Sequence, residues 1–520
     1  MNIIYKFKSF WRKNSPIFKW KISGINPKSP LLRPIDPWKG SLSNGEKSFI
    51  SHPKIISSEY WHSFEWLRDL REVPNERARI RCRDLCNEWQ SANHVWDSRT
   101  WTTELLGKRL SNILFCYGTF ADTAKSDFQE ELMKIFAAQA RCLELDWKKI
   151  NNYKEKMYAL LGMMAGRICL TTVKEEIDDI IEKVIEETDN IFNVDGMHIS
   201  RKPHIHFEIL KIIIEIQYLG KSSSIQFREK YDQIINKVIS CSKMLQHTDG
   251  SVVNFNGGSK FSKDLISQLI SKSNSTIKPY NGITNDGFAR MNMKSTSIFF
   301  DAGNPNNNSK NWHAGTLSFE LSYRKNLIVV NNGFMETETK WTKALRGTSA
   351  HSTISIDGKN SSNLENYKNE GRIARTTNKI FEKTKDGFFA SALHNGYFVS
   401  HGIYHKREIM LHDHGNKITG KDELIYSGAP GTIPLEAELR FHLSPYLKTA
   451  MVLSGDILLR LKNGSGWSFK TSENSVFLQD SIFVNQLNIL KSKQIYINLS
   501  LKNLRSSGNR VIEWEFYKSS

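Results

Sequence analysis

Two hydrophobic periods divide the chain. From Tyr60 to about Ile270, apolar residues recur every three or four positions, the spacing of one helix face. In EYWHSFEWLRDLREV that face is marked by Trp61, Phe64, Leu67 and Leu70. The pattern returns in ELLGKRLSNILFCYGTF, FQEELMKIFAAQARCLELDW, YKEKMYALLGMMAGRICL, EEIDDIIEKVIEETDNIF, HFEILKIIIEIQYLG and REKYDQIINKVISCSKML. Short polar connections between them predict antiparallel helical hairpins. Acidic residues early in several segments suit helix N-termini. No convincing short-period sequence repeat accompanies the helices.

From about Asp286 the period falls to two. STSIFFDAG, GTLSFELSYR, NLIVVNNG, HSTISIDG, FFASALHNGYF and EAELRFHLSP read as strands, and LHDHGNKITGKDEL reads as a hairpin. Turn dipeptides Asn332-Gly333, Asp357-Gly358 and Asn395-Gly396 separate several of them. Many strands without intervening helices predict a large antiparallel sandwich. The expectation is a multidomain α + β chain: a basic N-terminal extension and lead-in over residues 1–58, a helical domain over 59–280, and a β-sandwich over 281–520.

Composition adds a sign to this picture. The 520 residues, 39% of them hydrophobic, supply enough material for two cores. The formal net charge of +18 attracts anions such as nucleic acid, anionic lipid or acidic polysaccharide. The competing reading is that most of these lysines are solvated surface. Cys82, Cys86, Cys116, Cys142, Cys169 and Cys241 all fall in helical text with no CxxC, as small buried residues do, and do not suggest a disulfide framework. The opening MNIIYKFKSFWRKNSPIFKWKISG is basic and aromatic, and lysines break every apolar run. It predicts neither a secretory signal nor a membrane span, but it suits contact with a membrane surface or another domain. No Walker-type GxxxxGK[ST], no GxGxxG in a βαβ setting and no HExxH is present.

Particular stretches then carry a family likeness. DGMHISRKPHIHFEILKIIIEI, WHAGTLSFELSYRKNLIVVNNG, RGTSAHSTISIDG, HNGYFVSHGIYHKREI and ELRFHLSP follow one another in order over roughly residues 55–515. Together they resemble the heparinase II/III-like polysaccharide lyases. The resemblance implies an incomplete (α/α) toroid followed by an antiparallel β-sandwich, in the cell envelope or periplasm; the missing signal sequence favours the cytoplasm instead. It implies β-elimination on an acidic, uronate-containing polysaccharide or oligosaccharide. A base removes the proton beside the uronate carboxylate, an acid protonates the leaving oxygen, and donors or positive charge neutralise the carboxylate. The alternatives are a non-catalytic acidic-glycan-binding protein on a degenerate lyase scaffold and, more distantly, a nucleic-acid binder, for which no motif speaks.

The sequence departs from the family pattern. Ile205 stands where such lyases often carry a tyrosine, and His206 keeps the adjoining histidine. In Asn311-Trp312-His313-Ala314-Gly315 only the second family histidine survives. The Asp-Ser-Gly-type turn is Asn331-Asn332-Gly333, while His351 is retained. His313 and His351 are thus expected as catalytic groups, with Tyr397 a substitute phenol and His198 facing the site. The same two histidines are the expected ligands of a structural zinc, although Asn331 replaces a carboxylate poorly; no cofactor is otherwise required. Arg201, His204, Asn311, Trp312, Arg346 and Arg407 are expected at the substrate. Each has a plainer reading: arginines in internal ion pairs, Tyr397 in the sheet, Trp312 in the core, and His206 capping or packing at a helix start.

Overall fold

The computed structural model describes residues 11–223, 227, 229–258, 261–273, 276–306, 311–335, 340–364, 372–428, 434–485 and 488–519. The first ten residues of the basic opening stretch lie outside them. The chain divides into two compact units, Met1–Ile191 with Glu208–Ile234, and Phe192–Phe207 with Ile235–Ser520.

The first unit is helical. Its elements are α1 (Pro16–Ile22), α2 (Leu42–Ile50), α3 (Ser58–Ser63), α4 (Trp66–Arg71), α5 (Arg77–Asn93), α6 (Thr103–Phe120), α7 (Ser126–Asp146), α8 (Tyr153–Leu170) and α9 (Lys174–Ile191), with much of α10 (Pro203–Ser222). Side-chain caps start the helices where the sequence changes character. The Thr102 hydroxyl accepts from the Leu105 amide, and Asn152 Oδ1 accepts from that of Glu155. Trp61, Phe64, Leu67 and Leu70 are all buried, as their spacing requires. Helices α6 and α8 cross so closely that a Cβ on Gly107 would lie 2.0 Å from the Tyr158 carbonyl oxygen, leaving room for glycine alone. All six cysteines are buried free thiols.

The second unit opens with three hairpins built alike. Bridges pair Phe192 with His198, Gln246 with Val252, and Ile283 with Ala289, and each encloses an Asp-Gly turn. In every one the glycine has positive φ: +87° at Gly196, +84° at Gly250 and +95° at Gly287. The glycine amide donates three residues back, to Asn193, His247 and Thr284 respectively. The repeat is therefore one of backbone shape. Its sequence trace is a dipeptide, too short for a period to show. The unit also holds parts of α10 and of α11 (Glu229–Met244), and all of α12 (Lys263–Lys272).

Among the described residues sixteen strands follow: β1 (Phe288–Met293), β2 (Thr296–Asp301), β3 (Phe319–Tyr323), β4 (Asn326–Val330), β5 (Ile354–Ile356), β6 (Thr376–Thr384), β7 (Gly387–Tyr397), β8 (Ile403–His412), β9 (Lys417–Tyr426), β10 (Glu436–Leu443), β11 (Lys448–Met451), β12 (Ile457–Arg460), β13 (Gly466–Thr471), β14 (Val476–Asn485), β15 (Asn488–Ser500) and β16 (Asn509–Ser519). They form two antiparallel sheets. One runs β1-β2-β3-β4-β10-β15-β14 with β5 also on β10, the other β11-β12-β13-β16-β9-β8-β7-β6. Inner faces meet in one core, where Phe319 of β3 stacks on Trp514 of β16 at 5.3 Å. Alternation along β8 turns Ile403, His405, Arg407, Ile409 and Leu411 inward, so two polar side chains enter an apolar layer and must find partners there.

Candidate functional site

The loops leading into β3 and β5 bring His313 and His351 together. His313 Nδ1 lies 3.2 Å from His351 Nε2, and His351 Nδ1 lies 2.7 Å from the Gly347 carbonyl oxygen. A carbonyl only accepts, so His351 carries its proton on Nδ1 and offers Nε2 as acceptor. His313 then donates from Nδ1 and keeps a lone pair on Nε2, a buried atom without a hydrogen-bond partner among the described residues. The pair is a neutral dyad. Burial, then His351, Arg346, Lys202 and His204, hold His313 well below the usual histidine range. Burial brings His351 down to about 4, against the opposing Gly347 bond. Lys202 is lowered to about 8 by burial and by Arg346. The dyad therefore sits in an electropositive setting.

The surrounding backbone is constrained. Asn311 and Leu317 have φ of +60° and +61°, and Arg201 and Asn256 have +55° and +46°, conformations that side chains disfavour. A Cβ on Gly315 would meet His351 Cδ2 at 2.5 Å, so the close approach of the ring needs glycine there.

Beside the dyad lies a cavity of about 840 Å³, lined in part by His204, Asn254, Gly257, Phe334, Tyr446 and Phe483. His313 stands behind its wall: a Cβ on Gly257 would be 3.5 Å from His313 Nε2, and the His313 and Phe334 rings are 5.6 Å apart. The imidazole itself is 1% exposed.

The cavity wall also holds a buried group that sequence reasoning missed. Glu320 Oε2 accepts from His247 Nε2 at 2.8 Å, and His247 Nδ1 meets the Ser322 hydroxyl at 3.0 Å. Glu320 Oε1 takes the Asn331 amide, the Asn331 side chain and the Asn254 amide at 3.0–3.1 Å. Asn331 Oδ1 in turn accepts from the Ser352 amide at 2.9 Å. Every polar atom of this carboxylate is spent on holding three loops together. The available signal was a glutamate inside FELSY, a strand buried on both faces.

The remaining expected site residues are placed as follows. Arg346 donates from Nε to the Trp312 carbonyl at 2.9 Å, beside the dyad. Trp312 is buried against Ala314 and Leu364, which removes it as an open stacking platform, while Asn311 is exposed. His204 lines the cavity. His198 is buried, its Nδ1 on the Ser200 hydroxyl at 2.8 Å, and burial holds it at about 3. Arg201, expected at the substrate, is instead paired with buried Asp301 and lies 4.3 Å over Phe288. Tyr397, expected as a phenol for catalysis, is fully buried and donates to the Ile354 carbonyl at 3.0 Å. Arg407, also expected at the substrate, is buried in the sandwich and paired with Asp422. That ion pair extends to Trp514 Nε1 at 2.8 Å and to His405, whose Nδ1 meets His394 Nε2 at 3.2 Å.

The family-implied zinc does not fit what is present. Two of the imidazole nitrogens are spent on each other, a third on Gly347, and Asn331 on Glu320 and Ser352. Among the described residues no group of three or more His, Cys, Asp or Glu side chains is arranged to hold a metal ion.

Comparison with known proteins agrees with this architecture. Residues 278–515 match the family model described as Heparinase II/III-like, C-terminal. FtsZ-localized protein C of Caulobacter vibrioides (strain NA1000 / CB15N) is 23% identical over 531 residues, 95% of this chain and 90% of that protein. A heparinase III structure superposes with a TM-score of 0.69 at 12% identity, covering 99% of this chain and 90% of its own. The heparan sulfate lyase HepC from Pedobacter heparinus does so with 0.66 at 14%, covering 92% and 82%. At such identities the structures establish the fold alone: a helical toroid region followed by a sandwich of two antiparallel sheets.

Proposed function

We propose, for a chain that belongs to the heparinase II/III-like family through residues 278–515, that it binds an acidic, uronate-containing glycan in the cavity beside Gly257 and leaves it uncut. The observation that carries this reading is the position of His313. Its Nε2 lone pair is the natural base of the dyad, yet the ring stands behind Gly257 and Phe334 and is 1% exposed. Proton abstraction requires a base within about 3 Å of the proton. The cationic neighbours also oppose protonation of His313, which makes it a weak base where it stands.

The cavity is suited to holding a sugar. Phe334, Tyr446 and Phe483 supply rings for stacking, and Asn254 an amide for hydroxyl groups. Its carboxylates are internally paired, Asp249 with Lys263 and Glu320 with His247. Lys202, Arg346 and the net charge of +18 favour an anionic chain over a neutral one.

Cleavage keeps one specific support. Tyr446 lines the cavity and is 46% exposed, so its phenol can reach a leaving oxygen. In that reading a shift of the Gly257–Phe334 wall admits the substrate to His313 Nε2 as base. Lys202 and Arg346 then offset the uronate carboxylate, and Tyr446 protonates the departing oxygen.

Calorimetry with a panel of acidic oligosaccharides tests the binding site. Phe334→Ala and Tyr446→Ala are expected to weaken binding about tenfold or more while the protein stays folded. Unchanged binding in both variants overturns the assignment of this cavity.

A second reading concerns place. The relative named for its localisation with FtsZ spans 95% of this chain. That coverage supports a proposal that the chain also gathers with FtsZ. Imaging a fluorescent fusion beside labelled FtsZ tests it, and an even distribution contradicts it.

A further inference from the structure

The outward face of α1 is apolar and basic at once, and we propose that it docks on an anionic lipid surface. The inward face is already committed. Arg12, just before the helix, grips Asp146 through two hydrogen bonds of 3.0 and 2.6 Å and lies 4.3 Å over the Phe18 ring. Phe18 meets Trp96 edge-on at 6.0 Å, and the Ser15 hydroxyl caps the helix by accepting from the Phe18 amide. These contacts fix the rotation of the helix on its own unit.

Fixing that rotation leaves Trp11, Ile17 and Trp20 exposed by 66%, 63% and 75%. Single exposed apolar residues are ordinary; three on and beside a seven-residue helix, next to Ile25 at 97%, form a patch. Lys13, Lys19 and Lys21 are exposed around it. Eight lysines and arginines precede the first acidic residue, Asp36. Arg12, Lys28 and Arg33 are drawn into ion pairs with Asp146, Glu130 and Asp122, which leaves the cationic character of the face, among the described residues, to those three lysines.

This combination selects the partner. Tryptophan favours the headgroup boundary, where its ring is half in an apolar layer and half in a wet one. Ile17 needs an apolar layer to enter, which a nucleic acid backbone lacks. A run of cations with no acid among them in sequence before Asp36 needs an anionic counter-surface, and each lysine held near such a surface strengthens binding about fivefold. An anionic bilayer offers both layers together.

The test is co-sedimentation of the full chain with vesicles of phosphatidylcholine alone and of phosphatidylcholine with phosphatidylglycerol. The chain is expected to pellet with the anionic vesicles and to remain in solution with the neutral ones. Trp11→Ser with Ile17→Ser and Trp20→Ser is expected to abolish pelleting. Lys13→Glu with Lys19→Glu and Lys21→Glu is expected to do the same. Thermal unfolding of both triple variants at the wild-type temperature establishes that they are folded. Failure of the wild type to pellet with anionic vesicles overturns the proposal, as does pelleting of both variants like the wild type. Retention on DNA that the lysine variant loses, without vesicle binding, assigns the face to nucleic acid and overturns it equally.

Discussion

Asp422 receives Arg407 side-on, Nε to Oδ1 at 2.8 Å and Nη2 to Oδ2 at 3.1 Å, with neither side chain exposed. The register of β8 and β9 sets the two residues opposite one another. Arg407 Nη1 then donates to the carbonyls of Leu317 and Ser352, both at 2.7 Å. One guanidinium thus ties the loop that carries His313 to the residue after His351. Removing its partner strands a buried charge. Asp422→Ala is predicted to cost about 3–5 kcal/mol in urea unfolding, and Arg407→Lys to cost a comparable amount because an ammonium cannot hold the fork. A loss below about 1 kcal/mol, the range of ordinary surface changes, contradicts this role.

Acid should destabilise the protein through its buried neutral histidines. Burial lowers His351 to about 4 and His198, His206 and His442 to about 3. The unfolded chain titrates near 6.5. Below that pH the unfolded state takes up protons that the folded state refuses, so stability is full above 6.5 and is lost as pH falls toward 3–4. One such histidine accounts for about 2 kcal/mol between pH 8 and pH 5. Urea midpoints across that interval read the effect, and a flat profile contradicts it.

The three Asp-Gly hairpins differ in what surrounds their glycines. A Cβ on Gly250 meets nothing within 4 Å, whereas one on Gly196 falls 2.3 Å from the Lys237 carbonyl carbon. Gly250→Ala therefore bears only the cost of a left-handed residue, about 1–2 kcal/mol. Gly196→Ala adds a backbone collision and should be clearly worse. Thermal unfolding of the two variants side by side checks the order, and equal losses contradict it.

Glu320 predicts a graded series. Glu320→Ala strands three N–H donors and the His247 ring, while Glu320→Gln keeps an oxygen for the donors and asks His247 to move its proton to Nδ1. The alanine variant should lose more than the glutamine variant, which should lose about 1–3 kcal/mol. Nitrogen-15 spectra of the His247 ring should show the tautomer change in Glu320→Gln, and an unaltered spectrum contradicts the assigned network.

The architecture was legible because burial writes itself into period. Helix faces such as Trp61-Phe64-Leu67-Leu70 and the alternation of β8 show in local sequence. The site was legible only where two family motifs carried histidines. His313 and His351 touch although they stand 38 positions apart in the chain, and Glu320 serves His247 across 73. Arg407 and Arg201 show the limit most clearly. A buried arginine and a substrate-binding one look alike in sequence, and the partner that decides between them, Asp422 or Asp301, lies elsewhere in the chain.

The central claim is a glycan site without cleavage, and ultraviolet absorbance tests it most directly. β-Elimination creates an unsaturated uronate that absorbs, whereas binding creates no chromophore. Incubation of the purified chain at high concentration with acidic oligosaccharides that it binds by calorimetry should leave the absorbance unchanged. A steady rise that Tyr446→Phe and His313→Ala both abolish would contradict the claim and establish a lyase.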